Sequence, residues 1–262
     1  MKRNTAKEKW RRGEVTYGAW LSIPDPFVAE VMAHVGFDWV CLDMQHGVID
    51  YQAAVRMLQA IDTTDTVAFV RVPWNDFGII GKMLDAGALG IIVPMVNTPE
   101  EARAAVNACR YFPEGSRSFG PTRVGVAAGR EYFTRANEEI ACIPMIETKQ
   151  ALEHLDEILA VPGVDAVYVG PADLSITLGL PPAVDNGGAF EEARLAIAEA
   201  CRRHGVVAGI HATAELAAKH AAAGYQMITV SGDHRAMAEG ARRDLALARG
   251  EQAAEGGSQR IY

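Results

Sequence analysis

Residues 38 to 72 read DWVCLDMQHGVIDYQAAVRMLQAIDTTDTVAFVRV. An apolar, β-branched run, DWVCLDM, gives way to an amphipathic segment, DYQAAVRMLQAID, and then to a second apolar run, TVAFVRV. Strand, helix and strand in that order make one βαβ step, the crossover that parallel strands require. Both runs are apolar on both faces, as expected of strands covered by helices. Three polar groups, Asp43, Gln45 and His46, gather where the first strand ends.

Working outward, the alternation repeats about eight times from residue 15 onward. TYGAWLSI (16 to 23), GIIVPMV (90 to 96), ACIPMIE (141 to 147), VDAVYVG (164 to 170), VVAGIHA (206 to 212) and YQMITVSG (225 to 232) are the other candidate strands. Amphipathic segments such as DPFVAEVMAHVG, TPEEARAAVNACRYF, KQALEHLDEILAVPG and FEEARLAIAEACRRHG lie between them. Many open on Asp or Thr, which accept hydrogen bonds from the first helical N–H groups, and close near Gly. Eight such units close a (β/α)8 TIM barrel, which commonly takes about 250 residues. An open doubly wound sheet would show an edge strand with a polar face. One domain over residues 1–262 is therefore expected, with 1–14 as an amino-terminal extension and 246–262 as the end of the last helix and a tail. That tail, EGGSQRIY, reads as loosely ordered or tied to another subunit. The long segment 111 to 140, rich in Gly and Arg, is a candidate active-site loop or subunit contact, or a plain surface excursion.

With 49% hydrophobic and 22% charged residues the chain is an ordinary globule able to bury a large core, which excludes disordered and collagen-like classes. A net charge of -8 repels phosphate backbones, and the one basic cluster, MKRNTAKEKWRR, contains Glu8 and is followed by Glu14. Nucleic acid is not an expected partner. No run approaches the ~18 apolar residues of a membrane span, and no apolar stretch follows the basic amino terminus, so a cytoplasmic location is expected. Cys41, Cys109, Cys142 and Cys201 are far apart without a CxxC pair and read as reduced core residues.

In such a barrel the chemistry sits at the carboxyl ends of the strands. The polar groups there are Asp43, His46, Arg71, Glu147, Asp173, His211, Ser231 and Asp233. Glu147 and Asp173 come from adjacent strands, and two nearby carboxylates repel unless a cation joins them. Hard oxygen ligands with room for water and a chelating substrate suit Mg2+ or Mn2+. Alternatively Glu147 pairs with Lys149 or Arg71, and Asp173 caps the short helix of GPADLSITLG. The Gly170-Pro171 turn leaves the N–H groups of Ala172 and Asp173 free at a helix start, a site for a carboxylate such as that of an α-keto acid. Arg71 would add a positive charge beside the ketone oxygen, or else form a structural salt bridge. Asp43 and His46 have the spacing of an acid/base pair in which a carboxylate holds an imidazole. His34, His154, His204 and His220 lie in helical segments and are expected to face solvent. Of the six lysines only Lys149 is near a strand end, so Schiff-base chemistry lacks its residue. No GxSxG, P-loop or GxGxxG motif is present after a strand.

GFDWVCLDMQHG, VRVPWND, MLDAGALGIIVPMVNTPEEARAAV, RYFPEGSRSFGP, MIET and VDAVYVGPADLS together resemble the metal-dependent class II pyruvate aldolases of the HpcH/HpaI family. The resemblance runs from about residue 16 to 245. It implies a barrel of the phosphoenolpyruvate/pyruvate type, with Glu147 and Asp173 binding a divalent cation (Mg2+ or Mn2+, with Co2+ a further option). It also implies Arg71 stabilising a pyruvate enolate, His46 with Asp43 as the acid/base pair, and Asp85 of MLDAG reaching a neighbouring subunit's site. A homohexamer, a dimer of trimers exchanging its last helix, is implied as well. Many members have Glu where Gln45 stands and Gln where Met145 stands, and His211 marks a subset. The expected reaction is reversible aldol cleavage of 4-hydroxy-2-oxo acids to pyruvate, or a related 2-oxo acid, and an aldehyde. The alternatives are another metal–enolate carbon–carbon lyase, a decarboxylating bond former, and a non-catalytic keto-acid binder.

Overall fold

The structure is a computed structural model and describes residues 1–250. Among the described residues the strands are β1 (Thr16–Leu21), β2 (Trp39–Asp43), β3 (Val67–Arg71), β4 (Gly90–Val93), β5 (Ala141–Ile146), β6 (Ala166–Val169), β7 (Val207–His211) and β8 (Met227–Gly232). All pair in parallel with their sequence neighbours, and β1 pairs with β8, closing the barrel expected from the alternation. Seven of the strands stop one to three residues inside the apolar run that announced them, and β8 ends with its run. Asp43, Arg71 and His211 are the last residues of β2, β3 and β7, and Glu147 follows the last residue of β5.

The helices are α1 (Thr5–Arg11), α2 (Pro26–His34), α3 (Tyr51–Ile61), α4 (Phe77–Asp85), α5 (Pro99–Cys109), α6 (Thr122–Ala128), α7 (Glu131–Glu139), α8 (Lys149–Glu153), α9 (Leu155–Leu159), α10 (Pro171–Thr177), α11 (Ala189–His204), α12 (Ala217–Ala222) and α13 (Asp233–Ala248). Asp25, Asp50, Asp76, Thr98 and Thr148 accept the first N–H groups of their helices, as their positions in the sequence predict. None of the helices among the described residues is long and apolar enough to cross a membrane. All four cysteines are buried and free.

The period-two alternation of a strand divides the core in two. On β2 and β3, Trp39, Cys41, Val67 and Phe69 point into the barrel, while Val40, Leu42, Ala68 and Val70 pack against the helices. Large aromatic rings fit the interior because glycines face them. A Cβ on Gly18 would lie 2.2 Å from the Trp39 ring, and one on Gly90 would lie 2.6 Å from Phe69.

The foot of the barrel is closed by residues that the sequence reading treated as an extension. Helix α1 sends Ala6 and Trp10 into the inner cluster. Asn4 is fully buried and donates its Nδ2 to the carbonyls of Leu89 and Glu139, both at 2.9 Å. Lys7 pairs with Asp165 at 2.7 Å. The segment 111 to 140 is not an active-site loop of its own barrel. It joins the carboxyl end of α5 to the amino end of β5, so it lies at the foot, and it folds into α6 and α7. Asn137 clamps it, accepting the Tyr111 N–H at 2.8 Å and donating to the Tyr111 carbonyl at 2.9 Å.

One histidine departs from expectation. His220 is wholly buried against Tyr225, with ring centroids 5.7 Å apart, and neither ring nitrogen has a hydrogen-bond partner among the described residues. His34 and His204 are exposed and His154 partly so, as expected.

Candidate active site

The alternation that builds the inner core also selects what stands at its mouth. Continuing the inward parity upward from Trp39 and Cys41 reaches Asp43, and from Val67 and Phe69 it reaches Arg71. From Ala141, Ile143 and Met145 it reaches Glu147, and on β7 it reaches His211. A cleft results, lined by Trp20, Arg71, Met145, Glu147, Tyr168, Gly170, Pro171, Ala172, Asp173, Val184 and His211.

Arg71 is the best anchored of these. Its Nε and Nη2 donate to the two oxygens of Asp43 at 2.9 and 2.6 Å, a forked pair buried at the barrel mouth. The Trp20 ring lies under the guanidinium, 5.0 Å from centroid to Cζ. Burial alone would raise the Asp43 carboxyl, but the Arg71 hydrogen bonds and charge outweigh it and hold the group below its usual range. Arg71 thus forms a salt bridge and also lines the cleft.

This pairing gives Asp43 a partner that the sequence did not point to. Both of its oxygens serve Arg71, and its link to His46 runs through the His46 backbone N–H, which donates to Oδ1 at 3.3 Å beside that of Gln45 at 3.1 Å. These bonds make a tight turn that presents His46 at the exposed rim. The Gln45 Oε1 is buried without a partner among the described residues.

Glu147 is 2% exposed, and its Oε1 accepts the Met95 N–H at 2.7 Å. Met95 adopts φ 55°, uncommon for a residue with a side chain, within the loop after β4. Gly170 is required beside this carboxylate, because a Cβ there would come within 2.3 Å of Glu147 Oε2. Burial drives the Glu147 carboxyl up to about 7. The Met95 N–H and Arg71 oppose that rise, while the Asp173 charge adds to it. Lys149 is exposed, and Asp173 does not cap α10, which has no side-chain cap. A buried carboxylate whose pKa is raised in part by a second carboxylate across the same cleft is a donor set that a divalent hard cation fits.

Of the residues named by the sequence, Asp43, His46, Ser231, Asp85 and Asp233 do not line this cleft. Asp85 ends α4, and a barrel helix runs back to the foot, so it lies away from the mouth. There it accepts Arg117 Nη2 at 2.6 Å, while Arg117 also donates to the Tyr132 hydroxyl at 2.9 Å. Asp233 is structural, accepting the Ser22 N–H and the Ile23 N–H at 2.9 Å each. The sequence reading missed Trp20, Tyr168, Val184 and Met95. Inward parity at strand tops marks Trp20 and Tyr168, but Val184 and Met95 reach the site through loop geometry that leaves no local signal.

A closed parallel barrel whose mouth collects a forked arginine and two carboxylates from different strands defines an enzyme of the α/β-barrel class. Residues 16–239 match the family described as HpcH/HpaI aldolase/citrate lyase, and the chain belongs to that family. A hydroxypyruvate/pyruvate aldolase of Rhizorhabdus wittichii is 39% identical over 251 residues, covering 94% of this chain and 99% of its own. A 2-dehydro-3,6-dideoxy-6-sulfogluconate aldolase of Pseudomonas putida is 37% identical, with 94% of this chain and 97% of its own covered. Among solved structures, an HpcH/HpaI aldolase/citrate lyase family protein of Burkholderia cenocepacia superposes with a TM-score of 0.88 at 33% identity, covering 94% and 99% of the two chains.

Proposed function

We propose that the protein is a carbon–carbon lyase that reversibly cleaves 4-hydroxy-2-oxo acids to an aldehyde and a 2-oxo acid, pyruvate or its 3-hydroxy analogue. The observation that carries this reading is the convergence of Arg71, Glu147 and Asp173 on one cleft. The aldolase relatives support it.

A divalent cation held by Glu147 and Asp173, Mg2+, Mn2+ or Co2+, would act as a Lewis acid toward the 2-oxo group. The chain's own residues do the rest. The N–H groups of Ala172 and Asp173, after Gly170 and Pro171, receive the substrate carboxylate. His46 takes the proton of the C4 hydroxyl. The C3–C4 bond then breaks, its electron pair forming the enolate as the aldehyde leaves. Arg71, held rigid by Asp43 and Trp20, offsets the charge that grows on the enolate oxygen. C3 finally takes up a proton, which completes the 2-oxo acid.

The assembly belongs to the same proposal. Helix α13 buries only Asp233, while Met237, Leu245 and Leu247 are exposed. Phe27 and Val31 of α2 and its C-cap Val35 form an exposed apolar stripe at helical spacing. Such faces suit a homohexamer, a dimer of trimers, that exchanges its last helix. Asp85 would then serve a neighbour's mouth rather than its own. Reduced buried thiols fit a cytoplasmic location.

Pyruvate release from a panel of 4-hydroxy-2-oxo acids, with and without Mg2+, Mn2+ or Co2+, tests the reading. Cation-dependent release from at least one member is expected. Silence across the panel, or full activity of Glu147→Ala in chelator-treated buffer, would overturn it.

A further inference from the structure

The cleft divides by chemistry. Arg71, Glu147 and Asp173 supply its charge, whereas Trp20, Met145 and Val184 supply an apolar wall. Tyr168 stacks on Trp20 at 5.4 Å and turns its hydroxyl to Thr229, so its polar end is committed elsewhere. His211 interrupts the apolar wall at the top of β7. Its ring stands edge-on to Trp20, centroids 5.3 Å apart at 87°, and the same Trp20 lies under Arg71. One rigid indole therefore sets the imidazole at a fixed offset from the guanidinium.

A 2-oxo acid has its own two sides. Its carboxylate and carbonyl oxygens belong with the charged groups, which leaves C3 and its substituents to the neutral wall. We propose that His211 reads the substituent on donor C3 and selects a donor with a hydroxyl there, a 3-hydroxy-2-oxo acid, over pyruvate, whose C3 carries only hydrogen. This rests on the enolate reading above.

The state of the imidazole agrees. Burial, then the charges of Arg71 and Arg235, lower its pKa to about 3, so the ring is neutral near pH 7 with one donor and one acceptor nitrogen. A neutral ring suits a hydroxyl and does not favour a second carboxylate. A wall built to hydrogen-bond a substrate hydroxyl discriminates against the analogue that lacks it, because its polar group is then left unpaired.

The test compares two donors on one sample. The metal-loaded enzyme is given hydroxypyruvate or pyruvate in D2O without aldehyde, and kcat/KM for exchange of the C3 protons is read by proton NMR. Calorimetric dissociation constants of the two donors give a second readout that needs no turnover. The native ratio should favour hydroxypyruvate. His211→Phe should lower it by roughly 10-fold or more, the cost of one buried hydrogen bond, while His211→Asn, which keeps a donor and an acceptor, should fall less. Because the readout is a ratio, a general loss of folded enzyme cancels. A native preference for pyruvate, or a ratio that does not fall in His211→Phe, would overturn the inference and leave the enolate reading standing. No exchange of either donor by the native enzyme with Mg2+, Mn2+ or Co2+ would overturn both.

Discussion

Asp43 and Arg71 act at the scale of single residues, and their coupling can be measured. If Asp43 works by holding the guanidinium, Arg71→Ala should cost on the order of 10²-fold in pyruvate-release kcat/KM, as loss of an oxyanion partner does. Asp43→Asn should cost nearly as much, and the double variant little more than the worse single one. Additive losses would instead mean that Asp43 serves the His46 ring separately. The sequence revealed both residues as strand-end polar groups but paired Asp43 with its chain neighbour. The partner across the ladder was invisible, because β2 and β3 bring Asp43 and Arg71 level only once the strands are in register.

Among the elements, α12 shows how packing overrides local pattern. The segment AAKHAA has the look of a solvent-facing turn of helix, yet its His220 is buried beside Tyr225 and near Arg194. Burial and then the Arg194 charge depress the ring's pKa from 6.5 to about 4, with Lys219 adding and Asp185 and Glu191 opposing. Above about pH 6.5 the ring is neutral in both folded and unfolded chains, and its contribution to stability is fully present. As pH falls from there toward 4, the unfolded chain takes up a proton that the folded one resists. Stability should therefore drop by up to about 1 kcal/mol per pH unit. Urea unfolding of His220→Phe should show a flatter profile across that window than the native protein. Equal slopes for both would remove His220 as the cause. Strand and cap positions, by contrast, were legible at this scale, because Asp and Thr caps and apolar runs act over a few residues of chain.

For the whole molecule, the exposed apolar faces of α2 and α13 carry the expectation of assembly. Replacing Met237 and Leu245 together by Glu should lower the mass seen by light scattering from that of the native protein and reduce activity in parallel, if the chain assembles and Asp85 completes a neighbour's site. A monomeric native protein, or a double variant of unchanged mass, would separate those faces from assembly. The foot of the barrel makes the complementary point. From sequence, residues 1–14 read as an extension and 111 to 140 as a candidate active-site loop or subunit contact, yet Asn4, Lys7 and Trp10 plug the barrel, and α6 and α7 are folded helices.

The sequence alone determined the barrel, its eight strands, several helix starts and the presence of Arg71, Glu147, Asp173 and His211 at one end. Periodicity, capping chemistry and strand direction are local properties, and parallel strands with covering helices leave few ways to close. Only the tertiary structure decided which groups touch. It took strand register to fork Arg71 onto Asp43 and to stack Trp20 on Tyr168. Loop closure brought Met95 and Gly170 against Glu147, and helix packing buried His220. The contacts at the mouth join residues from 23 to about 150 positions apart, and no local pattern in a single sequence encodes distance across a barrel.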